Sequence, residues 1–245
     1  MSKKLSVVIP AYNEENQIED ILKKIIGVEL IDGIEKEIII IDDASKDKTI
    51  DVTKKFIENN KDENIILLQQ EKNQGKGAAV HKGIDVATGD FIIIQDADNE
   101  YDPTEYNELL KPILDGYADV VYGSRFASTK PRRVLSIWHK MGNRFMTNFS
   151  NIFTGLSLTD TATCYKLFKS EFIKTVFLKE KRYSIDPEIT AKIVRFKNIR
   201  IYEIGISYYA RSYEEGKKIH FLKDGLRQIF SIIKYNIFSR KYLKK

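Results

Sequence analysis

Acidic side chains recur directly after short apolar runs in the first hundred residues of this chain. These acids are Glu14, Asp42, Asp43, Asp96 and Asp98. Two carboxylates separated by one residue repel each other unless a cation lies between them, and Mg²⁺ and Mn²⁺ prefer oxygen ligands of this kind. The pair Asp96 and Asp98 therefore predicts a divalent-metal site completed by water and substrate phosphates. The other interpretation is that these acids only cap strands and begin turns.

A glycine-rich segment lies between two of these acidic positions. Residues 73–77 read Asn-Gln-Gly-Lys-Gly, which is not a Walker sequence, and no Gly-x-Gly-x-x-Gly follows the first apolar run. The sequence therefore disfavours a P-loop enzyme and a dinucleotide-dependent dehydrogenase. Small residues and a lysine, Lys76, in front of a helix still allow the backbone to approach a phosphate group.

The elements that must position these groups alternate along the first half of the chain. Apolar runs at 5–10, 37–41, 65–68 and 91–94 predict strands, and apolar residues at helical spacing between them predict helices. Runs of Ile, Val and Leu without polar alternation are typical of strands buried on both faces. We therefore predict an α/β fold with a mainly parallel, Rossmann-like central sheet flanked by helices, in which ligands bind beyond the carboxyl ends of the strands.

The second half of the chain is less regular. We predict strands at 119–122, 164–168 and 199–206 and helices from about residue 134 and over 225–238. The aromatic residues of the first of these helices, Trp138 and Phe145 among them, are expected to pack in the core; the alternative is that this stretch borders the acceptor. No linker separates the halves, so the prediction is one domain over 1–220, followed by a basic amphipathic helix over 221–245.

Positive charge is concentrated at the end of the chain. The 245 residues carry a net charge of +5, and residues 211–245 alone hold ten Lys or Arg and three acids. A nucleic acid, a membrane surface or a phosphorylated ligand could each explain such a segment, and a solvated charged tail is the other interpretation.

Several classes of protein are disfavoured by what the sequence lacks. One cysteine, Cys164, cannot build a disulfide framework or a cysteine zinc site. The histidines are widely separated and form no metal triad in the sequence. No apolar run approaches the roughly 20 residues that span a bilayer, and the first residues do not read as a signal peptide. We therefore expect a soluble, cytoplasmic protein.

Four segments, in their order and spacing, resemble the family 2 glycosyltransferases, and most closely the dolichol-phosphate mannose synthase type. They are residues 7–14, 40–45, 73–79 and 96–98. The resemblance is specific over about residues 5–126 and looser to about residue 220. It implies a fold of the GT-A type and an inverting transfer of a sugar from a UDP- or GDP-sugar.

The resemblance also implies roles for individual residues. The nucleotide sugar would be bound by Pro10, Tyr12, Glu14, Asp42, Asp43, Lys76, Asp96, Ala97 and Asp98. The metal, Mg²⁺ or Mn²⁺, would be bound by Asp96, Asp98 and Glu100, the last standing where lipid-phosphate enzymes of the family often have Gln. The catalytic residues would be Asp160, Arg125, Arg211 and Lys217, with the three basic side chains facing the phosphates.

The nature of the acceptor decides whether the reaction needs a base. A glycan or glycolipid hydroxyl must lose a proton, for which Asp160 is the first candidate and Asp186 the second. A polyprenyl phosphate, such as dolichyl or undecaprenyl phosphate, is already ionised and needs only cations to hold it. The basic, apolar segment 222–241 favours the lipid acceptor, because such a helix can lie on the inner surface of a membrane. The other interpretation is that this helix packs on the domain with its basic residues in water.

Two other functions are considered from the sequence. A sugar-phosphate nucleotidylyltransferase would share the sheet, but it needs a glycine-rich, arginine-containing first loop, and residues 10–14 are not one. A nucleic-acid-binding module would suit the basic tail, but the acids at the strand ends would repel a phosphate backbone. We therefore expect no nucleic-acid partner.

Overall fold

The computed structural model describes residues 2–127, 129–134, 136–211, 221–239 and 241–244. Within these residues seven strands form one sheet. They are β1 (Lys4–Ala11), β2 (Glu35–Asp42), β3 (Ile65–Gln69), β4 (Phe91–Ile94), β5 (Val120–Ser124), β6 (Lys166–Lys169) and β7 (Ile201–Gly205). The four strands predicted in the first half and the three in the second half are all present.

Helices cover the sheet. They are α1 (Ile18–Gly27), α2 (Thr49–Asn59), α3 (Lys76–Val86), α4 (Tyr106–Leu114), α5 (Ile137–Thr154), α6 (Ser170–Ile173), α7 (Ile185–Ile193) and α8 (Phe221–Ile233). Two 3₁₀ turns precede β2 and α4, and a π-helical segment, Lys234–Phe238, continues α8. Ser136 caps α5, because its side-chain oxygen accepts a hydrogen bond from the backbone N–H of His139.

The strand order is β3-β2-β1-β4-β6-β5-β7. Strands β1 to β4 are parallel, whereas β6 runs antiparallel between β4 and β5, and β5 is parallel to β7. The mainly parallel α/β fold is therefore confirmed. Because β1, β2 and β4 are adjacent and parallel, the acids that follow them meet at one edge of the sheet.

Alternate side chains of the central strands enter two separate cores. In β1, Val7 and Ile9 join the core on one face of the sheet, and Val8 joins the core on the other. Ile38 and Ile39 divide in the same way in β2. Each of these side chains is almost fully buried, which explains why the strands read as continuous apolar runs.

Helix α7 was not predicted, and its composition explains the omission. All nine of its residues are buried, but acids and a lysine are among them. Lys192 Nζ lies 2.5 Å from Glu188 Oε1, and Lys166 Nζ lies 2.5 Å from Asp186 Oδ1. A helix whose buried charges are paired within the protein carries no apolar stripe to be recognised in its sequence.

The prediction that Trp138 and Phe145 pack in the core is wrong. Trp138 is 73% exposed and Phe145 is 57% exposed, and the buried residues of α5 are Thr147 and Ser150. The polar face of α5 lies inward because it supports the polar residues of the cleft described below.

The C-terminal segment packs on the rest of the domain. Helix α8 contacts α5 and α7, and the π-helical segment contacts α7. Leu243 forms an isolated antiparallel bridge with Val176. None of the helices in the described part of the chain is long and apolar enough to cross a membrane.

Candidate functional site

A cleft with a cavity volume of about 380 Å³ opens at the carboxyl ends of β1, β2 and β4, a size that suits a small-molecule ligand. The predicted site residues that line it are Pro10, Tyr12, Glu14, Asp43, Lys76, Asp96, Ala97, Asp98, Glu100, Arg125 and Arg211. Asp42 and Asp160 are not among the lining residues. Lys217 lies outside the described residues.

Asp43 holds the glycine-rich segment against the end of β2. Its Oδ1 accepts hydrogen bonds from the backbone N–H of Gln74 at 2.7 Å and the side-chain amide of Gln70 at 2.8 Å. Its Oδ2 accepts from the backbone N–H of Gly75, also at 2.7 Å. Burial raises the pKa of Asp43, although the two backbone hydrogen bonds oppose that effect. Asp43 therefore shapes the wall of the cleft.

Asp42 is 1% exposed, and one of its two carboxylate oxygens accepts a hydrogen bond. Its Oδ2 accepts a hydrogen bond from the backbone N–H of Ser45 at 3.0 Å. Its Oδ1 has no hydrogen-bond partner among the described residues. Because Asp42 is almost fully buried and does not line the cleft, its contact with a nucleotide sugar stays a prediction.

The first acid after β4, Asp96, is paired with the lysine of the glycine-rich segment. Lys76 Nζ donates to Asp96 Oδ1 and, at 2.7 Å, to Cys164 Sγ. Burial would raise the pKa of Asp96. The charge and the hydrogen bond of Lys76 oppose this effect, and the net shift of the pKa is downward, so the carboxyl group stays ionised. The pKa of Lys76 is raised against the effect of burial, because Asp96 stabilises its charge. Lys76 therefore lies in the cleft as a cation.

The second acid, Asp98, meets Arg211. Arg211 Nη2 lies 2.5 Å from Asp98 Oδ2, and Nη1 lies 3.1 Å from Glu14 Oε2. The backbone N–H of Arg211 donates to Glu100 Oε1 at 2.7 Å. Burial and the neighbouring carboxylates of Asp96 and Glu100 raise the pKa of Asp98 to about 7, although Arg211 opposes the shift. The cleft therefore concentrates more negative charge than Arg211 offsets.

Asp160 is bound on both oxygens by Arg125. Arg125 Nε donates to Asp160 Oδ2 at 2.6 Å, and Nη2 donates to Oδ1 at 2.8 Å. The side-chain amide of Asn143, on α5, donates to the same Oδ1 at 3.3 Å. Asp160 is fully buried, yet Arg125 holds its pKa below the usual range despite that burial. A carboxylate held in this way is a poor proton acceptor, and its role as a base stays a prediction.

The second predicted base is also paired. Asp186 accepts the hydrogen bond from Lys166 already described, and Lys166 is fully buried. Both carboxylates that sequence reasoning proposed as general bases therefore form buried ion pairs in the structure.

Several lining residues were missed by sequence reasoning. They are Tyr101, His139, Cys164, Arg182, Tyr183 and Tyr208. The Tyr208 ring packs on Arg125, with 5.0 Å between the ring centre and the guanidinium carbon, and its hydroxyl donates to Glu100 at 3.0 Å. His139 is one of the three histidines that the sequence predicts to form no metal triad. Nothing local in the sequence marks these positions, because the sheet brings them to the cleft from distant segments.

Within the described residues, no group of three or more His, Cys, Asp or Glu side chains is already arranged around a common metal position. Asp96 and Asp98 are turned toward Lys76 and Arg211 instead. The chemistry of the set still suits a hard cation, because the carboxylates of Asp96, Asp98 and Glu100 lie close together in sequence in a cleft whose lining has five acids and four Lys or Arg side chains. The three metal ligands stay a prediction.

Solved structures similar to this chain include the glucosyl-3-phosphoglycerate synthase of Mycobacterium tuberculosis. Its complex with Mn²⁺ and UDP-glucose aligns with a TM-score of 0.72 over 96% of this chain and 79% of that chain. Its complex with Mg²⁺ and UDP aligns with a TM-score of 0.69. At 17% identity in both alignments, the likeness shows the fold, which is the predicted GT-A type.

Curated relatives cover most of the chain. An uncharacterized protein of Methanocaldococcus jannaschii is 28% identical over 238 residues, which are 95% of this chain and 92% of that protein. Two dolichyl-phosphate beta-glucosyltransferases of Trichomonas vaginalis are also similar. One is 29% identical and covers 96% of this chain and 74% of the relative. The other is 28% identical and covers 83% of this chain and 65% of the relative.

The sequence profile named Glycosyl transferase family 2 matches residues 6–177, well over half of the chain. The match includes every strand-end acid discussed above. It lends no support to a nucleotidylyltransferase or a nucleic-acid-binding module. The protein belongs to glycosyl transferase family 2 and is a glycosyltransferase.

Proposed function

We propose that this protein transfers a sugar, with inversion, from a nucleoside-diphosphate sugar to a polyprenyl phosphate, and that it uses Mg²⁺ or Mn²⁺. The observation that carries the choice of acceptor is the pairing of both candidate bases. Asp160 is bound by Arg125, and Asp186 is bound by Lys166. A phosphate acceptor is already ionised at neutral pH, so it needs cations rather than a base.

The donor end of the cleft is the end formed by β1 and β2. This end of the cleft is lined by Pro10, Tyr12 and Asp43, which the resemblance assigns to the nucleotide sugar. The synthase of Mycobacterium tuberculosis, which shares the fold, is solved with UDP-glucose and Mn²⁺. These observations support a nucleotide sugar as the donor of this chain.

The acids after β4 support the use of a metal. Asp96, Asp98 and Glu100 would hold it, and Glu14 adds to the negative potential of the cleft. A divalent cation bound there would stabilise the negative charge that develops on the departing diphosphate. Arg211 would have to release Asp98 before the carboxylate could take part.

The basic residues of the cleft would hold the phosphates. Arg125 is fixed by its two bonds to Asp160 and by the ring of Tyr208, so its charge is placed before a ligand arrives. Such a preorganised cation costs little reorganisation when charge develops in the reaction. Lys76 and Arg211 line the same cleft, and Lys217 is proposed for the same task on the basis of the resemblance.

The names of the relatives point in the same direction. Two of them are dolichyl-phosphate beta-glucosyltransferases, whose named acceptor is a lipid phosphate. The basic segment 222–241 is proposed to hold the protein at the membrane surface where such a lipid resides. The alternative is the same donor chemistry on a hydroxyl group of a glycan or glycolipid.

A thermal-shift experiment tests the donor and the metal. Wild-type protein should be stabilised by nucleotide sugars of one base only, and only when Mn²⁺ is present. For a chain of this size each kcal/mol of binding raises the melting temperature by about 2–4 °C. Asp98→Asn should lose the Mn²⁺-dependent shift, whereas Asp115→Asn, a half-exposed acid at the end of α4, should keep it.

A transfer assay tests the acceptor. A short, water-soluble prenyl phosphate should accept sugar, and a prenyl alcohol of the same length should not. Transfer to the alcohol, or to a glycan hydroxyl in preference to the phosphate, would overturn the lipid-phosphate assignment. Equal shifts for Asp98→Asn and the wild type would overturn the metal assignment.

A further inference from the structure

Helix α5 presents its apolar residues to solvent. Val134, just before the helix, is 93% exposed, and Trp138 and Phe145 are largely exposed as noted above. Met141 and Ile152 are exposed on the same side. A helix on the surface of a protein normally buries its apolar residues and exposes its polar residues. An exposed apolar stripe of this length marks an interaction surface.

Helix α8 repeats the arrangement. Leu226 is 69% exposed and Phe230 is 66% exposed, whereas Asp224 and Ser231 are buried. Ser231 Oγ donates a hydrogen bond to the backbone carbonyl of Ser184 at 3.2 Å, so the polar side of α8 is fastened to the domain. Because α5 and α8 pack against each other, their exposed apolar residues belong to one region, here called the α5–α8 face.

The exposed charged side chains that the structure describes on α5 and α8 are basic. Helix α5 carries Lys140 and Arg144 and no acid, and the one acid of α8, Asp224, is buried and lies 3.6 Å from Arg227. Lys140, Arg144 and Arg227 are exposed on the two helices. Apolar side chains interleaved with basic ones are the pattern that binds the interface of an anionic bilayer, where the basic groups meet lipid phosphates.

The α5–α8 face is continuous with the cleft. His139 lines the cleft, and its neighbour Trp138 lies on the exposed side of α5. Asn143, from the inner side of the same helix, donates to Asp160 as described above. One helix therefore joins the outer apolar surface to the residues around Arg125.

We propose that the α5–α8 face docks on an anionic lipid bilayer and brings the mouth of the cleft to the lipid phosphates. The inference rests on the proposed polyprenyl-phosphate acceptor and adds which surface makes the contact. It assigns α5 to the membrane together with the C-terminal helix. The side chains that enter the interface are Trp138, Met141, Phe145, Leu226 and Phe230.

Trp138 allows a direct test, because it is the one tryptophan in the chain. Full-length protein should show a blue shift of tryptophan emission with vesicles of phosphatidylcholine and phosphatidylglycerol. Pure phosphatidylcholine vesicles should give little shift. Brominated acyl chains in the anionic vesicles should quench the emission, which reports that the ring has entered the lipid.

Matched variants test the surface while the tryptophan reporter is kept. Phe145→Ser and Phe230→Ser should each weaken co-sedimentation with anionic vesicles by about tenfold. Tyr117→Ser, an aromatic residue after α4 that is 61% exposed, should leave it unchanged. Lys140→Glu with Arg144→Glu should abolish the preference for anionic lipid, and Lys54→Glu with Lys55→Glu on α2 should not.

The proposal fails if Trp138 emission does not change with anionic vesicles, or if the face variants and Tyr117→Ser bind equally. It also fails if the wild type is a dimer that Phe145→Ser dissociates, since a second copy would then cover the face. Transfer to a water-soluble prenyl phosphate, without vesicles, tests the proposed function separately. Normal transfer there combined with no vesicle binding would overturn the docking surface alone.

Discussion

Arg211 contacts three of the acids in the cleft, and its positive charge offsets part of their negative charge. Its guanidinium meets Asp98 and Glu14, and its backbone N–H meets Glu100. In this arrangement the arginine occupies the carboxylates that the proposed metal would need. A cation and Arg211 should therefore compete for Asp98, while both are needed when a diphosphate is bound.

The competition predicts an unusual response to Arg211→Ala. With the arginine gone, the uncompensated carboxylates should bind Mn²⁺ alone at least about tenfold more tightly, because no ion pair has to be broken first. Turnover should nevertheless fall, because a cation that faces the phosphates is lost. Titration calorimetry with Mn²⁺ and a steady-state assay measure the two effects.

Lys111→Ala provides the control for that experiment, since Lys111 is an exposed lysine on α4. It should change neither Mn²⁺ affinity nor turnover. Weaker Mn²⁺ binding by Arg211→Ala would show that the arginine supports the metal position instead of competing for it.

The pair of Arg125 and Asp160 carries a second prediction. Asp160→Asn leaves a buried arginine without its carboxylate, which should cost about 3–5 kcal/mol of stability and lower kcat. If Asp160 only positions Arg125, the pH–rate profile should keep its shape. Loss of the acidic limb of the kcat profile would instead identify Asp160 as the base, and with it a hydroxyl acceptor.

The acids of the cleft could be predicted from the sequence, whereas their partners could not. Asp96 and Asp98 stand directly after an apolar run, so a local pattern places them at a strand end. The bonds from Arg125 to Asp160 and from Lys166 to Asp186 join residues 35 and 20 positions apart. Such pairs depend on how β5, β6 and α7 come together, which no local spacing records.

At the scale of elements, the glycine-rich segment is fixed by the loop that precedes α7. The backbone N–H of Ala78 donates to the carbonyl of Lys181 at 3.1 Å. Glu188 accepts from the backbone N–H groups of Lys179 and Glu180, which fastens that loop to α7. The two loops therefore meet backbone to backbone, and there is no room for a side chain between them.

Gly77→Ala should reveal this contact. An added Cβ would lie against the carbonyl oxygen of Glu180 and 2.8 Å from the carbonyl carbon of Lys181. The overpacking should cost about 1–3 kcal/mol and raise the KM for the donor, because Lys76 and Gly75 would move with the loop. Urea unfolding and donor-dependent kinetics give the two values.

Gly27→Ala serves as the matched control, because a Cβ at the end of α1 meets nothing within 4 Å. It should be neutral or stabilising by up to about 1 kcal/mol, as expected for a glycine replaced in a helix. A Gly77→Ala protein as stable as the control, with an unchanged KM, would show that the loop preceding α7 yields readily.

The strands were predictable because burial on both faces leaves uninterrupted apolar runs, as in Ile38–Ile41 of β2. Helices α4, α6 and α7 were not predicted from the sequence, and helix α5 was predicted with the wrong side facing the core. Helix α7 buries paired charges, so its sequence lacks an apolar stripe. The apolar stripe of helix α5 faces solvent. The helical spacing therefore predicted the helix correctly, but the expectation that its apolar residues face the core was wrong.

At the scale of the whole molecule, ion pairs fasten β5, β6 and β7 to one another at the edge of the sheet opposite the cleft. Asp119, just before β5, accepts from Lys169 Nζ at 2.7 Å and from Arg200 Nη2 at 2.7 Å. Arg200 directly precedes β7, and Lys169 ends β6. One carboxylate therefore links three neighbouring strands, and the hydrogen bonds from Arg200 hold its pKa well below the usual range.

This lowered pKa predicts how stability depends on pH. A carboxylate whose pKa is lower in the folded protein stabilises the fold above its ordinary pKa of about 3.9, and the contribution is lost as the pH falls toward the folded value. Asp119→Asn should therefore cost about 1–3 kcal/mol at neutral pH, the usual loss for hydrogen bonds to a charged group. The same substitution should cost less at about pH 3, because the wild type has by then lost part of the contribution.

Urea unfolding of the wild type and Asp119→Asn at the two pH values measures this change, since the other carboxylates cancel in the difference between the proteins. Asp85→Asn, an exposed acid at the end of α3 paired with Lys244, should show a small and nearly constant difference. If the difference in the free energy of unfolding between wild type and Asp119→Asn is the same at both pH values, the link between the strands does not depend on the charge of Asp119. In that case the packing of β5 against β6 and β7 would hold the sheet together without it.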